Sequence, residues 1–236
     1  MKVNLSVVIP TLNNITGLKN LLSYFKNKPY KIIIIDNKKK NLGFAGGVNK
    51  GVKSDNTKWT LILNDDIEFY DNGSIDQLIE FAEKNRLDAV SPVLVNSKGE
   101  TENYGYRILP IGKVELVKSV ESADIDGLTA ACLLVKTSVF KKLNGFDESF
   151  FAYLEDVDFF LRFKKAGYKM GIADNIKVLH NHMTTSKTMG NFKARQDMIN
   201  WWRLYFKHKE KFKFNIRFIL ERLKNVSGFL KASFKK

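Results

Sequence analysis

Nearly unbroken apolar runs alternate along this chain with segments whose apolar residues recur three or four positions apart. LSVVIP reads as a short buried strand stopped by Pro10, and IIIID as another ending at Asp36. Between them, ITGLKNLLSYFK places Ile15, Leu18, Leu21, Leu22 and Phe25 at helical spacing, which predicts a crossover helix. A strand, helix, strand opening argues for a parallel sheet of the doubly wound type. NLGFAGGVNKGV then runs from a Gly-rich loop into a short helix, and WTLIL is a third strand. SIDQLIEFAEKN is a helix with Ser74 and Gln77 at capping-box spacing, and DAVSPVLV is a fourth strand. From about Asn96 to Asp126 the pattern weakens into irregular chain and a β-ribbon, the kind of long stretch that often binds ligands. TAACLLV is a strand, TSVFKKL a short helix, and VDFFLRFKKAG a helix with Gly167 as its C-cap. KMGIADNIKVLHNH closes the sheet region.

The length of 236 residues, 44% of them hydrophobic, suffices for one core, so one domain over residues 1–190 with a tail over 191–236 is expected. The single cysteine, Cys132, excludes a disulfide framework or a cysteine metal site and belongs in a buried strand. The opening MKVNLSVVIPTLNN is unlike a secretory signal, and no run approaches the roughly 18 apolar residues of a membrane span. A cytoplasmic protein without an integral membrane segment follows as the expectation. The net charge of +14 favours anionic partners, and eleven of the 39 Lys and Arg lie from Trp201 onward against two Glu. There Phe212, Ile216, Ile219, Leu223, Val226, Leu230 and Phe234 recur at helical spacing, as in a basic amphipathic helix suited to an anionic membrane surface. Packing on the domain or dimerisation would use the same stripe, and Trp201 and Trp202 suit either an interface or a core. No zinc finger, ribonucleoprotein motif or KH-type loop speaks for nucleic acid.

Two acidic clusters carry the candidate chemistry. LNDD (residues 63–66) ends the strand WTLIL, and YLEDVDFFLR opens a helix. Ligands of open α/β sheets bind beyond the carboxyl ends of strands, so the clusters can converge on one cleft that holds a divalent cation and an anionic substrate. Thr11 and Asn13 lie just past the first strand, and Asn41, Gly43, Gly46 and Gly47 would let a loop approach a nucleotide closely. That loop lacks GxGxxG, which disfavours NAD. Plainer roles exist for the same residues: Asp65 and Asp66 as caps of a turn, His180 as a hydrogen-bonded strand end, and Asp158 with Arg162 as a helical ion pair.

In order, VVIPTLNN, IIIIDN with NLGFAGGVNKG, LNDD, GFDESFFAYLEDVDFFLR and VLHNH resemble the family-two glycosyltransferases, in particular their rhamnosyltransferase- and galactofuranosyltransferase-like branch. The resemblance implies a GT-A fold: an α/β, Rossmann-like, mostly parallel sheet flanked by helices, here followed by the helical tail. Residues 1–95 would mainly bind the nucleotide-sugar, and 96–190 mainly the acceptor. It implies metal-assisted, inverting transfer from a nucleoside diphosphate-sugar to a saccharide, on a lipid carrier in surface polysaccharide assembly. Asp66 and His180 would be ligands of Mn or Mg, with His182 as the fallback ligand. Asp65 would serve the donor ribose or sugar, Asp156 would be the general base, and Glu155 and Asp158 would bind acceptor hydroxyls. Asn64 departs from the commoner Asp at the first position of the acidic motif. Asp36 stands where members hold the nucleobase; a carboxylate there accepts the imide N–H of uracil or thymine, which weakly favours UDP- or dTDP-sugars, although guanine also offers suitable donors. A nucleotidyltransferase would instead carry a basic Gly-rich phosphate loop after the first strand, which PTLNNITG is not. A non-catalytic anion-binding module would tolerate neutralisation of Asp66 or Asp156.

Overall fold

The computed structural model describes residues 4–119, 124–181 and 191–234. β1 (Leu5–Thr11) lies between β2 (Lys31–Asp36) and β3 (Trp59–Leu63), parallel to both. The order then continues through β9 (Cys132–Lys136), β5 (Ala89–Val95), β10 (Met170–His180) and β4 (Ile67–Phe69). β2, β1, β3, β5 and β10 share one direction, while β9 and β4 run against it. The sheet is thus mostly parallel. β1, β3 and β5 are buried at every residue. Covered on both faces, such strands must be apolar throughout, which is why they read as unbroken runs. β2 is the exception among the apolar runs: it forms the sheet edge, and Ile34 is 41% exposed.

Side chains alternate between two cores. Val8 and Ile62 pack with Val48 and Val52 of α2 (Gly43–Val52), whereas Val7, Ile9, Leu61 and Leu63 pack with Leu21 and Phe25 of α1 (Ile15–Phe25). α3 (Ser74–Lys84) covers the α1 side, and Phe159, Phe160 and Phe163 of α5 (Glu155–Lys165) fill the α2 side. The cap of α3 differs from expectation: Ser74 is its first residue, and Asp71 accepts from the Gly73 amide and the Ser74 hydroxyl. A carboxylate with two acceptor oxygens satisfies both donors, leaving the Ser hydroxyl no capping role. Gly167, after α5, has φ +78 as a C-cap requires. The weakly patterned stretch contains β6 (Thr101–Asn103), paired with β5, and a hairpin of β7 (Tyr106–Leu109) and β8 (Lys113–Leu116). α4 (Thr137–Lys142) follows β9.

Beyond residue 190 the chain forms α6 (Phe192–Lys207) and α7 (Ile216–Phe234). Trp201 and Leu204 of α6 join the α2-side core, so α6 packs as part of the same body as the sheet. Phe212 is buried ahead of α7 and stands apart from the apolar stripe. α7 buries Phe218 and Arg222; the Arg222 guanidinium lies 4.3 Å from the Trp201 ring centroid and donates to the Gly112 carbonyl. Ile216 (68% exposed), Ile219, Leu220, Leu223, Val226, Leu230 and Phe234 (83%) face outward, while Phe229 is half-buried. Among the described residues no helix is long and apolar enough to cross a membrane.

Candidate functional site

A cleft of about 520 Å³ opens at the carboxyl ends of β1 and β3 and is lined by residues of both acidic clusters, Asp65 and Asp66 with Glu155 and Asp156. The join between the clusters is short. The Ala131 carbonyl accepts from the Asn64 amide just past β3, and the neighbouring Ala130 amide donates to Asp156 Oδ2 at 3.3 Å, at the start of α5. The 130–131 segment ahead of β9 therefore joins the two clusters.

Asp65 is held by its own neighbourhood. Thr11 Oγ1 donates to one carboxylate oxygen at 2.5 Å, and Asn14 Nδ2 donates to the other at 3.0 Å. Asn14 also caps α1, accepting from the Gly17 amide at 3.0 Å. Gly17 is required by closeness: a Cβ there would stand 2.2 Å from the Asp65 carbonyl oxygen. Burial nevertheless pushes the Asp65 carboxyl upward, against these hydrogen bonds and with the neighbouring Asp66.

Asp66 differs, since its Oδ1 is buried with no hydrogen-bond partner. The antiparallel register His180↔Ile67 brings His180 beside it, with Nε2 3.4 Å from that oxygen. The other ring nitrogen stands 3.8 Å from Glu102 Oε2 on β6. An orphaned carboxylate oxygen facing an imidazole nitrogen fits a divalent cation. Among the described residues no group of three or more His, Cys, Asp or Glu is arranged around one point, so such an ion would draw its remaining ligands from substrate and water. His182 lies outside the described residues.

Glu155 and Asp156 open α5. Asp156 accepts from the Val157 and Ala130 amides, which favour its charge, but burial outweighs them and raises its pKa to about 6. Glu155 is pushed up further, by burial first and by Asp156 second, and its Oε2 is buried without a partner.

Other anticipated residues fall in different places. Thr11, Asn41 and Gly43 line the cleft; Gly43 has φ +71 and approaches Phe151 closely. Asp36 is exposed at the end of the edge strand, turned to the Lys38 amide, and its neighbour Asn37 takes the place on the cleft wall. Asn13 is exposed with φ 63, and Gly46 sits inside α2 against Leu42 and Glu148; neither lines the cleft. Asp158 is fully buried away from the cleft, with one oxygen bonded to Arg162 and the other to His208 and Lys207, each at 2.8 Å. Burial raises its pKa, but the His208 hydrogen bond and the charges of Arg162 and Lys207 outweigh burial and hold it below the ordinary value. With both oxygens committed, Asp158 has none for an acceptor hydroxyl: the helical ion-pair reading describes it.

Sequence reasoning passed over three contributors to the wall: the 129–131 segment, Asn37, and the first turns of α6, with Phe192, Lys193 and Asp197. Asn37 was legible as the first polar side chain past the β2 end. The α6 residues had no local signal, because their relation to the cleft is set wholly by long-range packing. No described residue of the 96–126 stretch lines this cleft, although Glu102 stands beside His180.

Comparison with known proteins adds the family context. Residues 17–144 match the model of glycosyl transferase family 2, and residues 117–187 that of the N-terminal domain of galactosyltransferase. A low-salt glycan biosynthesis hexosyltransferase of Haloferax volcanii is 23% identical over 208 residues, covering 75% of this chain and 67% of the relative. An N-acetylglucosaminyl-diphospho-decaprenol L-rhamnosyltransferase of Mycobacterium tuberculosis is 28% identical over 144 residues, covering 52% of this chain and 47% of the relative. The chain thus spans about half the length of the latter. Among solved structures, a mannosyltransferase of Pyrobaculum calidifontis in complex with GDP-Man and Mn²⁺ superposes with a TM-score of 0.62 at 11% identity, covering 98% of this chain and 73% of that one. The catalytic domain of Drosophila β1,4-galactosyltransferase 7, in complex with xylobiose, gives 0.52 at 17% identity, covering 78% of each chain. At these identities the likeness is one of fold.

Proposed function

The chain belongs to glycosyl transferase family 2 and has the GT-A fold, and from that premise we propose that it moves a sugar from a nucleoside diphosphate-sugar to a saccharide hydroxyl with inversion at the anomeric carbon. The observation that carries this reading is the meeting of two acidic clusters of unlike chemistry in one cleft. One presents an orphaned carboxylate oxygen beside an imidazole, the other a buried carboxylate that accepts two backbone amides at a helix N-terminus.

Asp66 and His180 would hold a divalent cation, Mn or Mg, whose charge neutralises the departing diphosphate, typically a contribution of several kcal/mol. Asp65, whose carboxylate and carbonyl are engaged by Thr11 and Asn14, lines the donor side of the cleft. Asn37, Asn41 and the Gly43 backbone form the nucleoside side of the wall. Asp156 takes the proton of the attacking acceptor hydroxyl, for which a carboxyl that burial has pushed upward is the stronger acceptor; general-base assistance of this kind is worth roughly 10²- to 10⁴-fold. Attack on the face opposite the leaving diphosphate gives inversion in one displacement.

The acceptor is proposed to be a lipid-linked saccharide of surface polysaccharide assembly. One relative's name specifies a diphospho-decaprenol acceptor, and another's specifies glycan biosynthesis. The outward apolar residues of α7, interspersed with Lys and Arg, suit an anionic membrane surface that would carry such an acceptor.

Calorimetry with UDP, dTDP, GDP and CDP, each with and without manganese, tests the donor half of this proposal. Metal-dependent binding of one of them is expected; no binding of any by folded protein contradicts it.

A further inference from the structure

Three residues just ahead of the Glu155–Asp156 pair, Phe151, Tyr153 and Leu154, have φ of 60, 68 and 67, a region that non-glycine residues seldom enter. Such a run is held only where its surroundings over-determine it, and it is concentrated at functional sites. The hold comes from α6. Asn200, fully buried, donates its amide to the carbonyls of Phe150, Ala152 and Tyr153 at 2.8–2.9 Å, while its oxygen accepts from Arg203. That clamp turns Phe151 and Tyr153 toward Phe192 at the head of α6, with ring centroids 6.0 and 6.3 Å from it. All three rings are only half-buried and line the cleft beside the acid pair.

Rings that served only as core would be closed over. Here strain and a buried amide are used to keep ring surfaces of Phe151 and Phe192, and of Tyr153 with the Lys193 ammonium 4.6 Å from its centroid, on a cleft wall next to carboxyl groups able to hydrogen-bond hydroxyls. An apolar face bordered by such acceptors is complementary to a pyranose, which presents C–H groups on its face and hydroxyls around its rim. We propose that Phe151, Tyr153 and Phe192 form the stacking wall of the acceptor-sugar subsite, with Asn200 holding it in register with Glu155 and Asp156. The proposal rests on the glycosyltransferase reading above and names the place within the cleft where the acceptor ring lies. It makes α6 part of acceptor recognition, although α6 lies beyond the residues matched by either family model.

The test is saturation-transfer NMR with the full chain and a panel of methyl glycosides of glucose, galactose, mannose, rhamnose and N-acetylglucosamine, on wild type, Phe192→Ala and Phe192→Trp. Phe192 is half-buried at the first turn of α6, so its truncation leaves the core in place. The expected result is saturation of at least one glycoside by wild type, weakened about tenfold or more by Phe192→Ala and retained by Phe192→Trp. Equal binding by wild type and Phe192→Ala, or no glycoside bound by wild type, overturns the subsite. Nucleoside diphosphate binding, measured on the same samples, separates the two levels. If it persists while the glycoside result fails, only the subsite falls; if it is absent in wild type, the donor reading beneath it falls too.

Discussion

Glu155 is a buried carboxyl with one oxygen that meets no partner, and burial together with Asp156 raises its pKa to about 8. A carboxyl raised in this way binds its proton more tightly folded than unfolded, where its pKa is about 4.3. The resulting penalty is absent below that lower value and grows as pH rises toward 8, so the site destabilises the fold at neutral and alkaline pH. Glu155→Gln, which keeps the shape and cannot ionise, is expected to raise the melting temperature at pH 8 and leave it nearly unchanged at pH 4, as read by thermal unfolding at both values. An equal change at both would show that charge burial is not the cause. Gly17 makes the complementary point about space. Gly17→Ala forces its Cβ against the Asp65 carbonyl, and should lower both stability, by about 1–3 kcal/mol, and nucleoside diphosphate affinity in calorimetry. The two acidic motifs were legible in the sequence because acids at a strand end and a helix start stand out. The Asp158–Arg162 pair was legible from its four-residue spacing; the closure of the other Asp158 oxygen by Lys207 and His208 was not, since only packing brings them there.

At the level of elements, α6 ties the strained loop to the core. Asn200→Ala removes a donor from three carbonyls of that loop, of which only that of Phe150 keeps a second donor in the Ala152 amide, and leaving a buried carbonyl unpaired costs about 1–3 kcal/mol. The expected outcome is faster hydrogen exchange of the 150–156 amides and a fall in turnover, with nucleoside diphosphate affinity kept. Loss of nucleotide binding in equal measure would mean that Asn200 supports the whole cleft instead. The strands were readable because buried parallel strands must be apolar along their length, as in β1, β3 and β5. β4 and β6 are three residues each, too short to show a period, yet β4 brings His180 to Asp66. The clamp was unreadable for a different reason: it joins residues about fifty positions apart through one polar side chain that no periodicity marks.

Over the whole molecule, charge and apolar surface are unevenly spread. The basic excess concentrates beyond Trp201, and α7 leaves Leu223, Leu230 and Phe234 outside while Phe218 and Arg222 anchor it. That composition was legible in the sequence; which side of α7 would be anchored was not, because the buried contact is made by an arginine stacked on Trp201. The anchoring also makes point changes a cleaner probe than truncation. Leu223→Asp with Leu230→Asp should leave folding intact and reduce sedimentation with phosphatidylglycerol vesicles, with little change for phosphatidylcholine alone. Unaltered sedimentation would remove the membrane from the account, and a shift from dimer to monomer in gel filtration would assign the face to a second copy.

The central claim is that one cleft divides the work between Asp66, on the donor and metal side, and Asp156, on the acceptor side. The most direct measurement is manganese-dependent nucleoside diphosphate affinity and donor turnover on the same preparations of wild type, Asp66→Asn and Asp156→Asn. The account predicts that Asp66→Asn loses metal-dependent binding, and that Asp156→Asn binds as wild type does while turnover falls by roughly 10²-fold or more. Full turnover by Asp156→Asn, or unchanged metal-dependent binding by Asp66→Asn, would contradict it.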